Sequence, residues 1–311
     1  MGGTLPFDLT KLYPERTPDF TPFTGGHALV LAGSDRATAP AVLSAAATLR
    51  AGADAVTVLA PPGAAESVRA HVAEAETVSL AGPVFSGLDV ELVVEEAEVA
   101  DAVLIGGGLG TRDETVRAVR ALISELDVPI IVNGDVTPAL HGHEDLVKGR
   151  AAVIALSARA LAHGAGKETP KTMDDLVALA NAEAQRLQTT LLVEGPRAVV
   201  ADAKRHHVAG LASAYAAKTG HHCVVEGATL ALLARGVPAY EASSAAAHLG
   251  AFAFDLAALT LGDGLLAADA VTFLPRALVE ARRRAATTHL SNGIVTPSPL
   301  APAPATPAPP S

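Results

Sequence analysis

A single cysteine in 311 residues excludes an intrachain disulfide framework and is compatible with a reducing compartment. Aromatic side chains make up only 3% of the chain, while half of its residues are hydrophobic, with many Ala and Val. That mixture suits a buried parallel sheet covered by tightly packed helices. Positive charge is scarce: the net charge of −10 argues against a phosphate backbone as the main partner. The short cluster Arg282-Arg283-Arg284 reads as the charged end of a final helix. The first twenty residues lack a charged-then-apolar leader pattern. The most apolar segment, around Ala245 to Leu261, is interrupted by His248 and Asp255 and reads as a buried helix, not a membrane span. The expectation is a cytoplasmic protein with neither nucleic-acid nor membrane partners.

What the chain does have is an alternation of short apolar runs and helical segments. His27–Ala32, Ala55–Leu59, Ala102–Ile105, Pro129–Val132, Ala151–Leu156 and Leu191–Val193 read as strands. Helices are predicted over 40–50, 64–75 and 114–126, and almost throughout from Gly210 onward. Strand–helix–strand order with short links is the signature of a parallel sheet. The stretch between the last two strands is polar and undecided. Residues 1–24 are read as an extended surface segment, 25–286 as one α/β domain, and 287–311 (ending TPSPLAPAPATPAPPS) as a disordered, polyproline-like tail.

The most informative stretch is Lys218–Gly236, KTGHHCVVEGATLALLARG. Gly220-His221-His222-Cys223 reads as a polar turn, and Val224–Ala234 as a buried helix stopped by Gly236 and Pro238. A helix start presents unpaired N–H groups to whatever lies before it, and these attract phosphate or developing negative charge. Cys223 stands at that mouth, with Glu226 three residues on, on the same face.

Four segments together resemble the ADP/ATP-dependent NAD(P)H-hydrate dehydratase family of the ribokinase-like superfamily. They are GGHALVLAGSDRATAPAVLSAAATLRAGADAVTVLAP, DAVLIGGGLG, the Lys218–Gly236 stretch and GVPAYEASSAAAHLGAFAFDLAAL, in order and at the family's spacing over most of 25–285. The resemblance implies a three-layer α/β fold with a mostly parallel central sheet. It also implies use of ADP or ATP, Mg²⁺ as a candidate ion, and the hydrate of NADH or NADPH as substrate. A homo-oligomer is expected. By position, the resemblance places substrate near Ala41, Gly108, Gly110, Asn133 and Asp135, and nucleotide near Glu194, Gly195, Gly220, His221 and His222.

The departures fall on the chemistry. Aligned without a gap from Gly236, Cys223 falls on the Asp that the family uses as catalytic base. A second register, with Lys218-Thr219-Gly220-His221 on the motif, needs two inserted residues and also lacks the Asp. The family's Asp-Ala-Asp is Asn133-Gly134-Asp135 here, and its Leu-Lys-Gly is Val193-Glu194-Gly195, which sets an anion where the resemblance places a phosphate-facing cation. The family's Thr-Pro-His-Pro-Gly-Glu stretch is replaced by Ala155-Leu156-Ser157-Ala158-Arg159-Ala160.

Two readings stand for Cys223: a small buried hydrophobe, or a thiolate favoured by the helix start. Hydroxyethylthiazole kinases of the superfamily carry Cys at this position, so a weakened base at Cys223 is the catalytic expectation. Gly106–Gly110 and Asn133-Gly134-Asp135 read either as plain turns or as ligand-facing loops at strand ends. His221, His222, Cys223 and Glu226 include metal-ligand types, but adjacent histidines rarely reach one ion, and no metal site is assigned. Three functions stay open: a hydrate dehydratase with weakened or altered activity, a small-alcohol kinase, and a nucleotide-binding homologue without turnover.

Overall fold

The computed structural model describes residues 8–291 apart from 19, 22 and 211–213. Its centre is a nine-stranded sheet in the order β3-β2-β1-β4-β5-β6-β7-β8-β9. The strands are β1 (His27–Ala32), β2 (Ala55–Ala60), β3 (Glu76–Ser79), β4 (Ala102–Gly106), β5 (Ile130–Asn133), β6 (Ala152–Ser157), β7 (Thr190–Glu194), β8 (Val199–Ala201) and β9 (His206–Val208). Strands β1 to β7 pair in parallel, and β8 and β9 add an antiparallel edge. The helices are α1 (Leu9–Leu12), α2 (Ala39–Arg50), α3 (Pro62–His71), α4 (Val90–Ala97), α5 (Asp113–Glu125), α6 (Ala158–Gly164), α7 (Met173–Leu187), α8 (His221–Ala234), α9 (Ala239–Leu261) and α10 (Ala267–Ser291).

Both sheet faces are buried, which is why the strands read as continuous apolar runs. Side chains alternate across the sheet. Ala28, Val30 and Ala32 of β1 pack with α2, α8, α9 and α10, whereas Leu29 and Leu31 pack with α4, α5 and α7. Small strand residues on the first face let helices come close. A Cβ on Gly227 of α8 would stand 2.6 Å from Ala47 Cβ and 2.7 Å from Ser44 O of α2. Helix α9 is long and apolar enough to cross a membrane by length and composition, yet half of its apolar window is buried and it lies against α8 and α10.

The undecided polar stretch forms α6 and α7, the latter capped by Thr172, whose hydroxyl accepts from Asp175 N at 3.1 Å. Strands β3, β8 and β9 carry no apolar run long enough to announce them. The N-terminal segment is not simply extended: Leu9 and Tyr13, around the single turn of α1, are buried in the core. Helix α10 continues to Ser291, past the expected boundary at 287, and the rest of the tail lies outside the described residues.

The entry to β1 is tied down by charge. Gly25 N–H donates to Asp54 Oδ2 at 2.6 Å, and the Arg16 guanidinium donates to Oδ1. Burial alone would raise the Asp54 carboxyl, but the hydrogen bonds from Arg16 and Gly25 outweigh it and hold its pKa below the ordinary value. Such a group contributes stability above its unfolded pKa of about 3.9, and the contribution is lost as pH falls through the lower folded value. Because the Arg16 side chain is 53% exposed, screening limits the pair to at most about 1 kcal/mol. Asp54→Asn should lower the urea midpoint at pH 7, and the gap to the parent should narrow below about pH 4.

Candidate active site at the start of a buried helix

The carboxyl ends of β1, β4, β5 and β7 meet at one edge of the sheet, the place where parallel α/β folds gather ligands. Gly33 N–H, just past β1, donates to Gly107 O at 2.7 Å and joins the first two loops. Gly106, Gly107, Gly108 and Gly110 all have positive φ. At Gly106 the need for glycine is absolute: a Cβ would lie 1.7 Å from Asn133 Oδ1. Gly110 N–H donates to Asp135 Oδ2 at 2.9 Å, while Asp135 Oδ1 is buried without a partner. Ala41 is buried in the first turn of α2, its Cβ 3.2 Å from where a Gly33 Cβ would stand. Gly108, Gly110 and Asp135 therefore lie at one edge, on the same side as the start of α8.

Helix α8 begins earlier than its apolar pattern indicates. Gly220 takes φ +89 as the N-cap residue, so the chain turns there and His221 is already helical. The expected turn Gly220–Cys223 is thus the helix's first turn, and no side chain caps it. Cys223 is 1% exposed, and Glu226, one turn on, is fully buried. Asn133 Nδ2 donates to Glu226 Oε2, which binds the end of β5 to α8. Asn133, expected at the substrate, is therefore held in the core.

Glu194, at the end of β7, meets Glu226 from the other side. Burial, then the charge of Glu226 and a hydrogen bond with it, push the Glu194 carboxyl well above the usual range. Burial also raises Glu226, although His222, Glu194 and Asn133 each pull it down. The two carboxyls lie against each other, and burial raises both. Glu194 is thus not the solvated, phosphate-repelling anion that its position in the sequence implies. Gly195 follows it, half-buried.

The same environment surrounds Cys223, the expected weakened base. Burial first, then Glu226, with Glu194 adding to them, raises its thiol well above the ordinary value despite a hydrogen bond with Ser44. Burial and the two carboxyls outweigh the helix start and favour the thiol over the thiolate. His221 is also no phosphate-facing cation. Its ring packs against Phe254 with centroids 5.1 Å apart, and burial, then His222, lower its pKa to about 4. His222 is half-buried and stays beside Glu226. Surface depressions lined by Lys167, Lys171 and Asp175, and by Leu140, His141 and Arg186, share no residue with this site.

A mostly parallel sheet between helical layers, with its glycine loops meeting a buried helix start, is the ribokinase-like fold. The ADP/ATP-dependent NAD(P)H-hydrate dehydratase of Bacillus subtilis, co-crystallised with ATP/Mg²⁺, superposes with a TM-score of 0.75 at 21% identity, over 88% of this chain and 95% of that one. A ribokinase-like protein of Enterococcus faecalis gives 0.72 at 18% identity, over 86% and 91%. The chain belongs to the NAD(P)H-hydrate dehydratase family, whose model matches residues 28–276. It is 31% identical over 281 residues to the bifunctional NAD(P)H-hydrate repair enzyme Nnr of Salinibacter ruber, covering 86% of this chain and 51% of that protein. The corresponding enzyme of Pyrobaculum aerophilum is 30% identical over 279 residues, covering 88% and 54%. The chain spans about half the length of these curated relatives.

Sequence reasoning placed Glu226 on the face of Cys223 but gave it no role. Its signal was a lone carboxylate inside an otherwise apolar helix. Ser44, which meets Cys223 from α2, left no signal in the sequence.

Proposed function

We propose that this chain takes ADP or ATP, with Mg²⁺, and the hydrate of NADH or NADPH, and that it dehydrates the hydrate only slowly. Family membership supports the substrate class, and the Bacillus subtilis relative co-crystallised with ATP/Mg²⁺ supports the nucleotide. The residues present fit these groups in two places. The start of α8, which no side chain caps, offers N–H groups to phosphate oxygens. The buried, unpartnered Oδ1 of Asp135 offers an acceptor to an Mg²⁺-bound water or a substrate hydroxyl.

The bound nucleotide supplies a phosphoryl group for the extra hydroxyl of the hydrate, which then leaves as phosphate. The chain's own part is to orient that hydroxyl, hold phosphate oxygens, and take the hydroxyl proton. The last task fails here. The observation that carries the reading is the placement of Cys223, buried beside Glu226 at the position where the resemblance places a carboxylate base, where burial and then Glu226 raise its thiol.

A positioned general base contributes about 10²–10⁴-fold. The expected result is a rise in melting temperature with ADP or ATP, with turnover of NADH hydrate lower by about that factor than in a carboxylate-bearing relative. Turnover within about tenfold of such a relative, on the same scale, would overturn the slowed reading. Nucleotide-dependent phosphorylation of a small alcohol, with the hydrate untouched, would replace it by the kinase reading.

A further inference from the structure

We propose that His222, Cys223 and Glu226, on the first turns of α8, form a zinc site. The observation is geometric. On a helix, residues at i, i+1 and i+4 fall within about 100° of arc, so His222, Cys223 and Glu226 share one face. Their ligand atoms (an imidazole nitrogen, Sγ and a carboxylate oxygen) all lie within 4.8 Å of one another. That spread is near what a single ion with bonds of about 2.0–2.3 Å draws together. The adjacent histidines do not both have to reach one ion, because His221 turns away onto Phe254.

A second observation points to a ligand independently. Glu226 is fully buried, and its Oε1 has no hydrogen-bond partner. Glu194 Oε1 is likewise buried without a hydrogen-bond donor, and the two carboxyl groups interact directly. Two acceptor groups brought together away from water need a cation or a proton between them. Mixed sulfur, nitrogen and oxygen donors in a buried tetrahedral set suit Zn²⁺. These side chains supply three ligands, as in open zinc sites, and leave the fourth position to water or another donor. On binding, Cys223 gives up its thiol proton and Glu226 binds as the carboxylate. The released proton leaves to solvent, and a His222 ring nitrogen donates its lone pair.

The test uses the full-length protein, stripped with a chelator and titrated with Zn²⁺ or Co²⁺ alone. One equivalent of Zn²⁺ should bind, raise the melting temperature and protect Cys223 from thiol reagents. Co²⁺ should give a thiolate-to-cobalt charge-transfer band. Cys223→Ser should abolish the band. His222→Asn, at a half-buried position that should fold normally by circular dichroism, should weaken binding by at least about tenfold. Absence of stoichiometric metal and of the band in folded parent protein would overturn the site. A band that persists in Cys223→Ser, or unchanged affinity in folded His222→Asn, would also overturn it. None of these readouts depends on hydrate turnover, so this proposal and the slowed-dehydratase reading fail separately.

Discussion

Cys223→Asp should cost several kcal/mol of stability and leave hydrate dehydration no faster. On motif alone the opposite is expected, because the substitution restores the carboxylate that the resemblance places there. The surroundings reverse it. Cys223 is 1% exposed and faces Glu226 and Glu194, two carboxyls that burial already raises. A third carboxyl in this setting would take up a proton, and the protonated form is no base; kept charged, it would stand unpaired in the core. An uncompensated buried charge typically destabilises by about 3–5 kcal/mol. Urea unfolding of the variant measures the cost, and the hydrate assay measures the activity.

The companion experiment changes the surroundings as well. In Cys223→Asp/Glu194→Lys/Glu226→Ala, a cation replaces the carboxyl on β7 and the second acid is removed. Asp at position 223 then has a charge partner and can remain ionised. Hydrate turnover should rise by about 10²–10⁴-fold over the parent, the range of a positioned general base. A folded triple variant that binds nucleotide yet stays as slow as the parent would show that the missing base is not what limits this protein.

Gly106→Ala should destabilise by about 3–5 kcal/mol, combining strain at positive φ with overpacking. The residue sits at φ +148, and an added Cβ would stand 1.7 Å from Asn133 Oδ1 and 2.5 Å from Asn133 O. The side-chain contact could be relieved by a rotation, but that would break the Asn133–Glu226 hydrogen bond inside the core. The backbone contact could be relieved only by moving β5 away from β4. Gly110→Ala separates the two causes. It has φ +88 and nothing within 4 Å of its Cβ position, so it should cost only about 1–2 kcal/mol. Denaturant midpoints with unchanged m-values decide the matter. Equal losses at the two glycines would mean that Asn133 is not packed against β4 as described.

Much of this fold was legible because its strands are buried on both faces. A run such as HALVLA needs no partner in the sequence to be recognised, since every position must be apolar. Strands β3, β8 and β9 escaped notice because three or four residues at a sheet edge carry too little pattern. Helix α7 escaped because its polar face and the loop before it dilute the apolar positions. The glycine loops were placed correctly, as conformational need is written directly into residue identity.

The sequence by itself determined the parallel architecture, the helix behind Gly220, and a cysteine in the first turn of that helix. It could not determine what that cysteine is. A helix start favours a thiolate, and this local rule is all that a linear reading can apply. The tertiary structure buries Cys223 and Glu226 and brings Glu194 from β7 toward them, which raises the thiol. Residues 194 and 223 are far apart in the chain. A pKa is set by the charges and solvent nearest in space, so only the folded arrangement could decide it.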